Sequence, residues 1–207
     1  MGIKYFFTTF KQKFPHTITE VKNNQTLEEI NEAREASEQI VFDNLCIDMN
    51  GLFHEATQKI FKYGNYEEKV SYIRPREKLD IKEKCNEVYK YTGQLVDDIF
   101  KFGKPKKRLI LCVDGVAPLC KQRQQRQRRY FSTLTKNHSF DSCAITPGTV
   151  FMDTMGKYLD YYIRMKMETD SEWEKIEVVY SNHNVPGEGE HKILHLLRQY
   201  NNTERNC

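Results

Sequence analysis

Three short apolar runs, each leading into acidic residues and separated by stretches of helical spacing, set the tightest limit on how this 207-residue chain can fold. The first is Leu45-Cys46-Ile47-Asp48-Met49-Asn50-Gly51, with a helix opening at Leu52-Phe53-His54. The second, Leu109-Ile110-Leu111-Cys112-Val113, runs into Asp114. The third, Ile176-Glu177-Val178-Val179-Tyr180-Ser181, leads to Pro186-Gly187-Glu188-Gly189-Glu190-His191-Lys192. Apolar runs of this length read as buried strands. Between them the apolar spacing predicts helices over residues 79–102, 119–134 and 149–167. Strands alternating with helices form an α/β fold: a central, mostly parallel sheet with helices on both faces.

In such sheets ligands collect beyond the carboxyl ends of the strands. Asp48, Asp114, Glu188 and Glu190 all follow a strand at that end. Residues two apart in a helix face nearly opposite ways. Glu188 and Glu190 therefore converge only if Glu188 lies at or before the helix start, a geometry that Pro186 and the two glycines permit. One glutamate would complement the positive end of the helix, but that does not account for both. Gathered carboxylates cost several kcal/mol unless a cation neutralises them. Hard oxygen donors suit Mg²⁺ or Mn²⁺, so a metal site is expected from these four acids.

Behind Asp114 lies Lys121-Gln122-Arg123-Gln124-Gln125-Arg126-Gln127-Arg128-Arg129, with five cations, four amides and no acid. On a helix Lys121, Gln125, Arg128 and Arg129 share one face. Most charge runs are solvated surfaces, but a face of this chemistry beside gathered acids suits a phosphate. His54 stands one helical turn beyond Asp48. Stacking on or bonding to a substrate base suits it better than ligating the ion, with an ordinary surface histidine as the plain alternative. His191 is close enough to the acids to support them indirectly.

The remaining chain is less informative. Ile3, Phe6, Phe7, Phe10 and Phe14 predict an amphipathic helix ended by Pro15, its aromatic face packed on the sheet. Residues 22–39 are polar and acidic and read as a surface insertion, and residues 63–76 and 140–147 read as loops. No run has the apolar length of a membrane helix, and the start carries neither a secretory signal nor, with Phe6 in place of Ser or Thr, a myristoylation motif. Six cysteines without CxxC spacing read as reduced thiols, which points to the cytoplasm, with the nucleus as the alternative. The run Lys104-Pro105-Lys106-Lys107-Arg108 abuts a strand and reads as its entrance rather than as an import signal.

These motifs resemble, in order and along nearly the whole chain, the N-terminal region of the Xrn/Rat-type 5′→3′ exoribonucleases. The resemblance rests on Met1-Gly2-Ile3, the segment from Phe42 to Gly51, Val113-Asp114-Gly115-Val116-Ala117-Pro118, the Lys121 helix, Ile145-Thr146-Pro147-Gly148-Thr149 and the segment from Pro186 to Lys192. It implies a flap-endonuclease or PIN-like nuclease core that hydrolyses RNA bearing a 5′-monophosphate, one nucleotide at a time. By the same resemblance Asp48, Asp114, Glu188 and Glu190 would serve one metal ion. Lys121, Gln125, Arg128 and Arg129 would clasp the 5′-phosphate, and His54 would meet the terminal base.

Against that pattern residues 22–39 diverge, and the chain stops at Cys207 where the family continues into a strand ending in further aspartates. The expectation is therefore the first part of the nuclease domain, C-terminally incomplete and cleaving RNA poorly alone. The alternative is a non-enzymatic module that binds RNA 5′-phosphates or a split half completed by a second polypeptide. A phosphohydrolase with Asp48 as nucleophile fits worst, because Asn50 stands where a second aspartate belongs.

Overall fold

A computed structural model of the chain describes residues 5–18, 42–66, 80–135 and 140–205. The insertion expected over 22–39, and most of the loop expected over 63–76, lie outside them. The chain divides into two units, Met1–Val41 and Phe42–Cys207.

In the first unit, helix α1 (Phe6–Lys13) precedes a single 3₁₀ turn, Pro15–Thr17. Proline follows the helix as expected, since it cannot donate the amide that the next turn requires. Of the aromatic face, Phe7 and Phe14 are exposed and Phe10 is half-buried.

The second unit is built on a parallel sheet of β1 (Asn44–Asp48), β2 (Arg108–Cys112) and β3 (Glu177–Ser181), in the order β1-β2-β3. Ile47 pairs with Leu111, and Leu111 with Tyr180, so the three strands end level. Each connection is helical. Between β1 and β2 run α2 (Met49–Phe61) and α3 (Ile81–Gly103). Between β2 and β3 run α4 (Leu119–Thr135), α5 (Val150–Thr169) and the single turn α6 (Ser171–Glu174). The last helix, α7 (Gly189–Arg205), lies against β1 and β2.

Side chains alternate across a strand, and β2 shows the consequence. Leu109, Leu111 and Val113 join Phe53, Val96, Met155 and Trp173 in one apolar cluster. Ile110 and Cys112 are equally buried but belong to the opposite face, where α7 lies. Each large apolar side chain so buried contributes about 1.5–3 kcal/mol. Trp173, fully buried on α6, packs its ring 5.0 Å from Phe100.

The first strand is shorter than its apolar run suggests. Met49, Asn50 and Gly51 are helical, because the Asp48 side chain accepts the Asn50 amide and caps α2. Polar capping thus ends a strand that hydrophobicity alone would prolong.

Candidate functional site

The level strand ends bring β1, β2 and the turn after β3 to one rim. Asp48 is the last residue of β1. Asp114 follows β2 by two residues, and its backbone amide donates to Asn50 Oδ1 at 3.0 Å. The Gly189 amide, at the start of α7, donates to Asp114 Oδ1 at 2.6 Å. A Cβ placed on Gly189 would lie 2.7 Å from Asp48 Oδ1, so this glycine is where the two aspartates approach α7. Any larger residue would push Asp48 away.

A backbone clasp holds the turn in place. Gly115 donates to the Gly187 carbonyl at 2.8 Å, and Gly187 donates to the Val116 carbonyl at 3.0 Å. The chains pass so closely that a Cβ on Gly115 would be driven into the Val185 carbonyl oxygen. Glu188 then sits one residue before α7 and accepts the amides of His191 and Lys192 on its own carbonyl. As the sequence required, Glu188 precedes the helix and Glu190 lies within it; Glu188 is buried and Glu190 exposed.

The four acids interact unequally. Desolvation raises the Asp48 carboxyl above the ordinary carboxylate value, the Asn50 amide opposes that shift, and the charges of Asp114, Glu190 and Glu188 add to it. Glu188 is answered internally: its Oε2 accepts from Lys121 Nζ on α4, and both side chains are largely buried. That hydrogen bond raises the Lys121 ammonium above its usual value. His191 Nδ1 stands 3.9 Å from Glu188 Oε1, so the histidine lies at the edge of the acids. The donor set, hard carboxylate oxygens, fits a divalent cation in its chemistry. Among the described residues, however, no three acidic, histidine or cysteine side chains stand close enough to hold one as placed.

The basic face of α4 divides. Gln125, Arg128 and Arg129 line a cleft of about 280 Å³ together with His54, Asn50 and Asp114. Ile145 and Pro147 form part of its lining, in the loop that Thr149 joins to α5: the Thr149 hydroxyl accepts the Met152 amide and donates to the Ala144 carbonyl at 2.6 Å. Gln125 and Arg129 also border a second cleft of about 270 Å³, with Gln122 and Arg126. Lys121 lines neither of these two clefts and is turned to Glu188 instead. Desolvation lowers the His54 imidazole below its usual value, against the pull of Asp114.

Two contributors escape a reading of the sequence. Asn50 fixes the Asp114 backbone and lines the cleft; its place one turn before His54 on the same helix is the signal that could have found it. Lys192 is buried and donates to two main-chain carbonyls. It closes the motif that runs from Pro186 to Lys192, but nothing in that position signals its burial.

A parallel α/β sheet with helices on both faces and acids at the strand ends is consistent with a PIN-like nuclease core. Comparison with known proteins narrows this class to one family. The chain matches the model of the XRN 5′-3′ exonuclease N-terminus over residues 1–139 and 131–207, and it belongs to that family. It is 35% identical over its whole length to 5′-3′ exoribonuclease 1 of Schizosaccharomyces pombe, and 31% identical over its whole length to 5′-3′ exoribonuclease 1 of Saccharomyces cerevisiae. It is 31% identical to 5′-3′ exoribonuclease 1 of Homo sapiens over 96% of its length. The chain spans 15%, 13% and 11% of those proteins, respectively.

Proposed function

We propose that this chain carries the first-metal ligands and the 5′-phosphate pocket of a 5′→3′ exoribonuclease that releases mononucleotides from 5′-monophosphorylated RNA. One observation carries the reading: a single cleft is lined by an acid of the rim, Asp114, by Gln125, Arg128 and Arg129 of α4 and by the His54 imidazole. Arg128 and Arg129 offer paired donors to a phosphate, Gln125 adds an amide, and His54 presents a flat ring to the terminal base. Lys121 stands one turn before Gln125, where its ammonium can exchange Glu188 for the phosphate.

Asp48, Asp114, Glu188 and Glu190 would hold Mg²⁺ or Mn²⁺. When bound, such an ion supplies charge stabilisation at the phosphoryl oxygens and lowers the pKa of a bound water. The chain's own residues bind the 5′ end and orient the first phosphodiester toward the acids. Free thiols at Cys46, Cys85 and Cys112 support a reducing compartment, which we take to be the cytoplasm. Among the described residues, no helix is long and apolar enough to cross a membrane.

The test compares an oligoribonucleotide bearing a 5′-monophosphate with its 5′-hydroxyl twin in Mg²⁺ or Mn²⁺, following binding and mononucleotide release. Tighter binding of the phosphorylated strand, with little mononucleotide release by the chain alone and none in EDTA, is the expected result. Equal binding of both strands would overturn the pocket assignment.

A further inference from the structure

Lys192 has no part in the reading above, yet it is bonded to the backbone that frames the acidic rim. It lies one turn past Glu188 on α7 and is only 7% exposed. Its Nζ donates to the Val113 carbonyl at 2.7 Å and to the Asn182 carbonyl at 2.9 Å. Val113 is the residue before Asp114, and Asn182 directly follows β3. The Lys192 stem passes close to Gly187, within the clasped turn. A buried ammonium is costly to desolvate, and a methionine of similar length would fill the volume without that cost. What methionine cannot do is donate to two strand ends at once.

We propose that Lys192 is a positioning residue of the acidic rim: its ammonium ties the end of β2 to the end of β3, so that Asp114 stays on the Gly189 amide and next to Asp48. The proposal rests on the metal-site reading given above for what the positioning serves, but the tie itself is independent of it. Groups that orient metal ligands without touching the ion typically change affinity by about 10–100-fold when removed.

The experiment uses the full 207-residue chain with Lys192→Met, which removes charge and donors, and Lys192→Gln, which keeps a donor without charge. The Gly189 amide resonance and its exchange rate report the bond to Asp114, Trp173 emission reports the core, and Mn²⁺ titration followed by electron paramagnetic resonance reports the acids. Both variants should shift the Gly189 amide and speed its exchange about tenfold or more while Trp173 emission is unchanged. Mn²⁺ binding should weaken by about 10–100-fold, more in the methionine variant. An unchanged Gly189 amide in either folded variant would overturn the proposal. So would unfolding of both, which would make Lys192 a residue of general stability. Failure of the unaltered chain to bind Mn²⁺ defeats the metal reading alone, because the Gly189 amide still decides the role of Lys192.

Discussion

The acidic rim and the basic cleft meet at Asp114 but are built in opposite ways. At the rim three carboxylates already have a partner within the chain: Asp48 takes the Asn50 amide, Asp114 takes the Gly189 amide, and Glu188 takes the Lys121 ammonium. In the cleft Gln125, Arg128 and Arg129 face open space, and among the described residues no carboxylate pairs with either arginine. Like charges that must be crowded need internal donors to stay together, so the rim is organised by the fold. Guanidinium groups on one helix repel only weakly in water, so the cleft can leave its charge for a ligand to answer. Lys121 is the one cation of the predicted phosphate face that has crossed to the acidic side.

The difference can be broken at several points. The largest effect is expected from the double change Arg128→Ala with Arg129→Ala. Charge-assisted hydrogen bonds contribute about 1.5–3 kcal/mol each, so binding of 5′-phosphorylated RNA should fall by about 100-fold in a filter-binding or anisotropy titration. The 5′-hydroxyl strand should change far less, and equal losses for both would make the helix a general RNA surface.

On the rim side, Gly115→Ala should destabilise the chain by about 2 kcal/mol in denaturant unfolding, because the Val185 carbonyl cannot retreat without opening the clasp with Gly187. A neutral result would mean that the clasp is not what fixes the turn. Lys121→Met sharpens the comparison. If Lys121 leaves Glu188 for the phosphate, the variant should bind 5′-phosphorylated RNA about tenfold more weakly. If it stays with Glu188, RNA binding should be unaffected.

The smallest effect is one of sign. Asp48 is held above the ordinary carboxylate value, chiefly by desolvation and then by its acidic neighbours. An acid that ionises less readily when folded costs stability as pH rises from the unfolded value through the folded one. Asp48→Asn should therefore stabilise the metal-free chain at neutral pH and flatten that acid-range dependence in thermal melts, even as it removes a proposed ligand. A loss of stability at neutral pH would mean that its cap on α2 outweighs the desolvation and the acidic neighbours.

Much of this arrangement is legible in the sequence because it follows from period and position. Apolar runs separated by helical spacing give the parallel sheet, and acids just past those runs are carried to one rim by topology alone. The spacing of Gln125, Arg128 and Arg129 places them on one face whatever the helix packs against. What the sequence does not disclose depends on distances between segments. Lys121 satisfies the same spacing, yet Glu188 from 67 residues further on claims it. Asn50 and Lys192 act by bonding to backbone groups of another strand, which no local pattern encodes.

The claim that rim and cleft form one site is tested most directly by the ³¹P spectrum of a 5′-phosphorylated oligoribonucleotide bound to the chain, as Mn²⁺ is added. The terminal phosphomonoester resonates apart from the diesters, and a paramagnetic ion broadens the nuclei closest to it. We expect selective broadening of the 5′-terminal phosphate and the first diester, absent in a chain carrying Asp48→Asn and Asp114→Asn. Uniform broadening along the strand, or broadening that survives those two changes, would contradict the account.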